Sequence, residues 1–262
     1  MLASWFTSAT LAATVLADTI VWDGRFNDIT TAADLAKWDW SNQVGPYQYY
    51  IHGSASISKY VNLSPTFKNP ADTASKQGVK ITIDGTSSWN GQQMMRTELI
   101  PQTKAAINRG RMVYHFSVKR SGVNAPVTTT EHQVNFFESH FTELKYGLIS
   151  GVPGTSDPSL RWYANSQSQW SAPLEPDVWH NVAYEIDFDD GSVTFWHSTG
   201  AAPLTKTAGP VKVSASSNGQ DWHLGVLRLP KGGVAGVEDW FFSGVYVESG
   251  TVTTAISGPG GA

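Results

Sequence analysis

Short runs rich in β-branched and aromatic residues recur along almost the whole chain, with turn residues between them. They fall at residues 20–22, 47–51, 79–83, 94–100, 112–119, 132–138, 142–148, 160–163, 178–188, 193–197, 223–229 and 240–248. Asp23-Gly24, Gly45-Pro46, Asp84-Gly85, Pro101 and Asp189-Asp190-Gly191 punctuate them. Helical signal is confined to residues 31–37 and, more weakly, 103–108. Evenly spaced short strands with such turns between them predict a sandwich or barrel. The expected fold is therefore all-β, a β-jelly roll of two antiparallel sheets with a concave substrate cleft. No repeat or linker breaks the series, so a single domain over residues 18–262 is expected.

The composition sets limits on function. Charged residues make up only 15% of the 262, well below the usual quarter, while there are 11 Trp, 9 Tyr and 11 Phe. A net charge of -4 leaves no basic footprint for nucleic acid. There is no cysteine, and a chain of this length can be stabilised by core burial alone. Residues 1–17 form a short apolar run with Val15 and Ala17 placed as a cleavage site requires, which predicts a signal peptide and an extracellular, secreted protein. That run is too short to span a bilayer comfortably, and no later one approaches twenty apolar residues, so no membrane span is expected. Asn62-Leu63-Ser64 is a glycosylation sequon.

Two carboxylates stand inside polar-aromatic strands: Glu98 in Met94-Met95-Arg96-Thr97-Glu98-Leu99 and Glu138 in Gln133-Val134-Asn135-Phe136-Phe137-Glu138-Ser139-His140. Glycoside hydrolysis needs such a pair, one to protonate the leaving oxygen and one on the other side of the ring. Arg96, two residues from Glu98 on the same strand face, is expected to hold that carboxylate ionised, as a base. Phe136-Phe137 before Glu138 predicts an apolar surround that raises its pKa, as suits an acid. Strict alternation puts Glu138 on the apolar side of its strand. A bulge, or a strand end that curls away, has to turn it into the cleft.

Glu131 and Glu143 compete with Glu138 but read as solvated strand residues, and Glu185 and Asp187 as outer-face residues. The seven His show no metal-binding spacing, so neither a metal nor another cofactor is expected. His223, opening a strand after Trp222, is the best supporting histidine. Aromatic planes accept the C–H faces of sugars. Tyr49, within Tyr47-Gln48-Tyr49-Tyr50, and Trp170, after Gln167-Ser168-Gln169, are candidate substrate contacts, as is the Trp89-Asn90-Gly91-Gln92-Gln93 turn.

Residues 42–52, 96–101, 131–144 and 221–225 closely resemble the fungal glycoside hydrolase family 131 catalytic domain, and the likeness runs from about Thr19 to about Gly258. The resemblance implies a secreted fungal β-jelly-roll β-glucanase acting on β-1,3-, β-1,6- and β-1,4-linked glucans with inversion. It places the family's glutamate pair on Glu98 and Glu138 and its cleft histidine on His223. The expectation is an open cleft floored by Arg96, Gln133 and Asn135, in a monomer whose partner is a β-glucan. An inverting pair would stand about 6.5–9.5 Å apart and a retaining pair about 5–5.5 Å. Two rival readings are a polysaccharide lyase built on His52, Gln93, Arg96 and Tyr246, and a non-catalytic β-glucan lectin.

Overall fold

Period-two alternation sorts the side chains of each strand between a shared interior and an outer face. The structure, a computed structural model, describes residues 19–230 and 236–259; the expected signal peptide lies outside them. Among the described residues the strands are β1 (Thr19–Asp23), β2 (Tyr47–Ile51), β3 (Val61–Ser64), β4 (Gly78–Ile83), β5 (Met95–Pro101), β6 (Arg111–Arg120), β7 (His132–Phe137) and β8 (Thr142–Tyr146). They continue with β9 (Ser159–Ala164), β10 (Gln167–Pro173), β11 (His180–Asp187), β12 (Ser192–Thr199), β13 (Thr205–Lys212), β14 (Trp222–Arg228) and β15 (Glu238–Ser249).

These strands form two antiparallel sheets packed as a sandwich, the all-β jelly-roll architecture expected. One sheet has eight strands, ordered β13-β12-β11-β6-β15-β4-β3 with β1 also on β15. The other has seven, ordered β10-β9-β8-β7-β14-β5-β2. Between them lie Val79, Ile81, Tyr114, Phe116, Tyr184, Trp240 and Phe242 from the first sheet, and Leu99, Val134, Phe137, Leu144, Trp162, Trp222 and Leu224 from the second. Burying each such side chain contributes about 1.5–3 kcal/mol. Trp162 stacks on Phe195 across the interior at 4.9 Å, and Tyr114 meets Trp222 edge-on at 5.0 Å.

The two outer faces differ. On the eight-stranded sheet, Val113 and Ala183 pack under Leu204 and Val252, so the end of the chain folds back over that face. On the outer face of the seven-stranded sheet lie Arg96, Glu98 and His223.

Residues 31–37 form a 3₁₀ turn, Ala32–Lys37, with Asp34 accepting from the Thr31 N–H at 2.9 Å. Residues 103–108 are irregular rather than helical. β3, β10 and β13 are strands that the periodicity does not predict, and all three lie at sheet edges.

Candidate active site

Three adjacent strands of the seven-stranded sheet bring four charged groups together. On β5, Met95 and Leu99 enter the core, which sends Arg96 and Glu98 to the outer face. On β14, Trp222, Leu224 and Val226 enter the core, and His223 takes the outer side.

β7 needs a correction to its alternation, and a bulge supplies it. His223 pairs with Phe136 and Val226 with Val134, so Leu224 and Gly225 together face Asn135. Asn135 adopts a left-handed φ of 46° and Gly225 a φ of 148°. The Asn135 Oδ1 accepts the Gly225 N–H at 3.0 Å, which replaces a ladder bond with a side-chain one. A Cβ at Gly225 would lie 2.3 Å from the Thr97 carbonyl, so only glycine fits. After this step Val134 and Phe137 both point into the core, three residues apart. Phe136 and Glu138 therefore point outward, and the Glu138 N–H continues the pairing to the Asp221 carbonyl at 2.9 Å.

The four groups form a chain. Arg96 donates from Nε to Glu98 Oε1 at 2.9 Å and from Nη2 to Oε2 at 2.8 Å. Glu98 Oε2 also contacts His223 Nδ1 at 2.7 Å. His223 Nε2 then lies 3.2 Å from Glu138 Oε2. Burial falls sharply along the chain: the side chain of Glu98 is 0% exposed and His223 4%, while Glu138 is 64% exposed. Phe136 stacks beneath His223 at 4.7 Å and beneath His140 at 5.3 Å, holding both imidazoles parallel to its ring.

Charge follows position. Burial pulls the His223 pKa down, but the contacts with Glu138 and Glu98 outweigh it and raise it to about 9, so the ring is an imidazolium at neutral pH. The His223 contact holds Glu138 below the usual carboxylate range, against partial desolvation and with help from Arg96 and His140. Burial also pulls on Arg96, and Glu98 and Glu138 more than compensate.

A second polar group lies beside the first. His140 Nδ1 sits 3.0 Å from Glu143 Oε2, and Lys145 reaches Glu131 at 2.7 Å and Glu143 at 3.5 Å. Glu131 and Glu143 are buried around this lysine, not solvated as the sequence suggests. Burial raises the Glu131 pKa, and Lys145 and the Ser150 N–H bring it below the usual value.

The glycoside hydrolase 131 catalytic N-terminal domain matches residues 20–253. The chain belongs to glycoside hydrolase family 131. Among solved structures, it is similar to a family 131 β-glucanase catalytic domain from Podospora anserina, at 65% identity and a TM-score of 0.91, covering 92% of this chain and 100% of that one. The catalytic domain of the family 131 protein from Coprinopsis cinerea is similar at 51% identity and a TM-score of 0.86, with 91% and 98% covered. No curated protein matches the chain.

In this family 131 chain the sequence-predicted site residues separate into two groups. Arg96, Glu98, Glu138 and His223 come together on one face. Glu98 has the Arg96 partner expected of it but is buried, while Glu138, for which an apolar surround was expected, faces solvent with a lowered pKa. The ring of His223 occupies the gap between the glutamates. Gln133 does lie on the outer face, but its amide donates to Glu131 at 3.3 Å. Asn135 is fully buried and serves the bulge, not the cleft floor. Tyr49 faces the core and stacks on His52 at 4.0 Å, and Trp170 packs between the sheets on Phe195 at 5.0 Å. Neither meets the site; the outward neighbour of Tyr49 is Tyr50, which sequence reasoning passed over, although alternation from the core residue Tyr47 points to it. His140, which closes the Glu138 motif, was given no role by sequence reasoning.

The rival lyase residues do not assemble. Tyr246 lies on β15 in the other sheet, stacked on His115 at 4.3 Å. Two cavities, of about 620 and 460 Å³, are lined by Asp23, Arg25 and Tyr47 and by Thr130, Glu131 and Leu229 respectively, and neither is lined by Arg96, Glu98, Glu138 or His223. Convergent charge on an open sheet face locates the site better than cavity size, because a polysaccharide needs a surface to lie along.

Proposed function

We propose that the chain is a secreted hydrolase of β-1,3-, β-1,6- and β-1,4-linked glucans, inverting as the family resemblance implies, with Glu138 as the carboxylate that meets the substrate. The similarity to the Podospora anserina β-glucanase domain supports the substrate class. One observation carries the assignment of roles: the imidazole of His223 is held between a fully buried glutamate and a solvent-facing one.

Glu138 is ionised at rest and accessible, so it serves as the general base. It takes a proton from the water that attacks the anomeric carbon as the glycosidic C–O bond breaks, and the leaving oxygen takes its proton from the solvent that reaches this open face. The base role read from the sequence at Glu98 thus moves to Glu138. Glu98 has both oxygens engaged by Arg96 and His223 and acts through the ring, fixing its orientation and favouring its charge. The two ends are coupled: a proton arriving on Glu138 removes the largest support of the His223 charge and makes the imidazolium a stronger acid.

The test is release of reducing ends from laminarin, pustulan and cello-oligosaccharides, with the first-formed anomer followed by proton NMR. An α-anomer product is expected. A β-anomer would remove inversion, and binding without hydrolysis would identify a lectin.

A further inference from the structure

Trp40 departs from the way aromatic residues are used elsewhere in this chain. Among the described residues it is the only aromatic side chain counted as exposed, at 65%. Its ring is held in place: Trp38 meets it at 5.0 Å and Tyr50 at 5.2 Å. Trp38 is itself buried, stacked on Tyr50 at 5.5 Å and anchored by its Nε1–H to Gln102 Oε1 at 3.0 Å. An indole so backed presents a preformed apolar face that loses little freedom when something settles on it.

The aromatic row leads to the charged cluster. Tyr50 lies on β2, the neighbour of β5. Trp89 meets Tyr50 at 6.5 Å, and its carbonyl accepts the Gln92 N–H at 3.0 Å. Gln92 in turn accepts from Arg96 Nη1 at 3.3 Å. An exposed ring in line with a charged cleft suits a β-linked pyranose, whose equatorial hydroxyls leave C–H faces free to stack.

We propose that Trp40, backed by Trp38 and Tyr50, is a distal pyranose-stacking subsite of the same cleft, engaged only by chains that extend from Glu138 past the β2 edge. The proposal rests on the glucan reading above. The test is the KM of the wild type, Trp40→Ala and Trp40→Phe on β-glucooligosaccharides of two to six units, with circular dichroism as a fold check. For Trp40→Ala the KM on the longest chain rises roughly 3- to 10-fold, the scale of one aromatic stacking contact. The rise shrinks as the chain shortens, and Trp40→Phe, which keeps a ring, recovers part of the loss. An unchanged KM at every length, or a rise equal at every length, overturns the subsite while leaving glucan hydrolysis standing. A wild type that neither binds nor cleaves the oligosaccharides overturns both.

Discussion

Among the described residues the trio Arg–Glu–His stands on both sides of the seven-stranded sheet, with β14 the one strand common to the two. On the outer face Arg96 and His223 hold Glu98. In the interior Arg228 donates to Glu238 Oε1 at 2.8 Å, and His132 Nε2 contacts its Oε2 at 2.7 Å. β14 supplies a member to each trio, and only the fourth partner differs. The second nitrogen of His132 meets the Tyr146 carbonyl at 3.3 Å, so that trio is closed and buried throughout. The second nitrogen of His223 meets a carboxylate open to solvent. Residue types alone therefore do not separate a structural ion network from a reactive one; access at one imidazole nitrogen does.

The largest expected effect that would break this contrast comes from Glu138→Gln. Its turnover should fall by about 10²–10⁴-fold, the usual weight of a positioned acid or base, with a Tm close to wild type because the side chain is exposed. Steady-state kinetics beside calorimetry would show it. Glu238→Gln should give the opposite signature. Removing one partner of a buried pair costs about 3–5 kcal/mol, which lowers Tm by roughly 10 °C in a chain of this size, while kcat per folded molecule stays. If Glu238→Gln stopped turnover at an unchanged Tm, the division between the trios would fail.

A smaller effect sharpens the role of the bulge. Asn135→Ala leaves the Gly225 N–H without its acceptor, at a cost of about 1–3 kcal/mol, and loosens the step that aims Glu138 outward. Both Tm and kcat should drop, and a variant that lost neither would assign that hydrogen bond no part in the site.

The mildest test is titration. The folded pKa of His223, raised to about 9, means that its stabilising contribution is complete below about 6.5 and is lost as pH rises through 9. Glu138, with a lowered pKa, contributes above the ordinary carboxylate range, and that contribution is lost as pH falls through its folded value. Imidazole NMR should place the His223 transition near 9 in the wild type and lower in Glu138→Gln. A transition in the ordinary histidine range in both proteins would uncouple the two residues.

Most central strands were legible, because residues buried on one face repeat every second position. β10 and β13 were not: with one neighbour each, they carry exposed polar side chains at most positions. β3, only four residues long, gave too short a run to read. The charged members of the site were legible from type and spacing, since Arg96 and Glu98 share a face under plain alternation. Asn135, Tyr49 and Trp170 were misjudged because polar or aromatic neighbours say nothing about which side of a sheet a residue occupies. The environments of the glutamates were misjudged for a related reason. Phe136 and Phe137 flank Glu138 in sequence but point to opposite faces, so no greasy niche forms around it.

The kink at Asn135 turns the identity of the reactive carboxylate into a matter of counting. Straightening the kink with every residue kept would restore an even beat along β7, send Phe136 inward and Phe137 outward, and deliver Glu138 to the apolar layer. Loss of Asn135 itself, by contrast, would let Phe136 follow Val134 in plain alternation and leave Glu138 facing outward. Any graft or alignment that treats the strand as uninterrupted assigns every position beyond 135 the wrong parity.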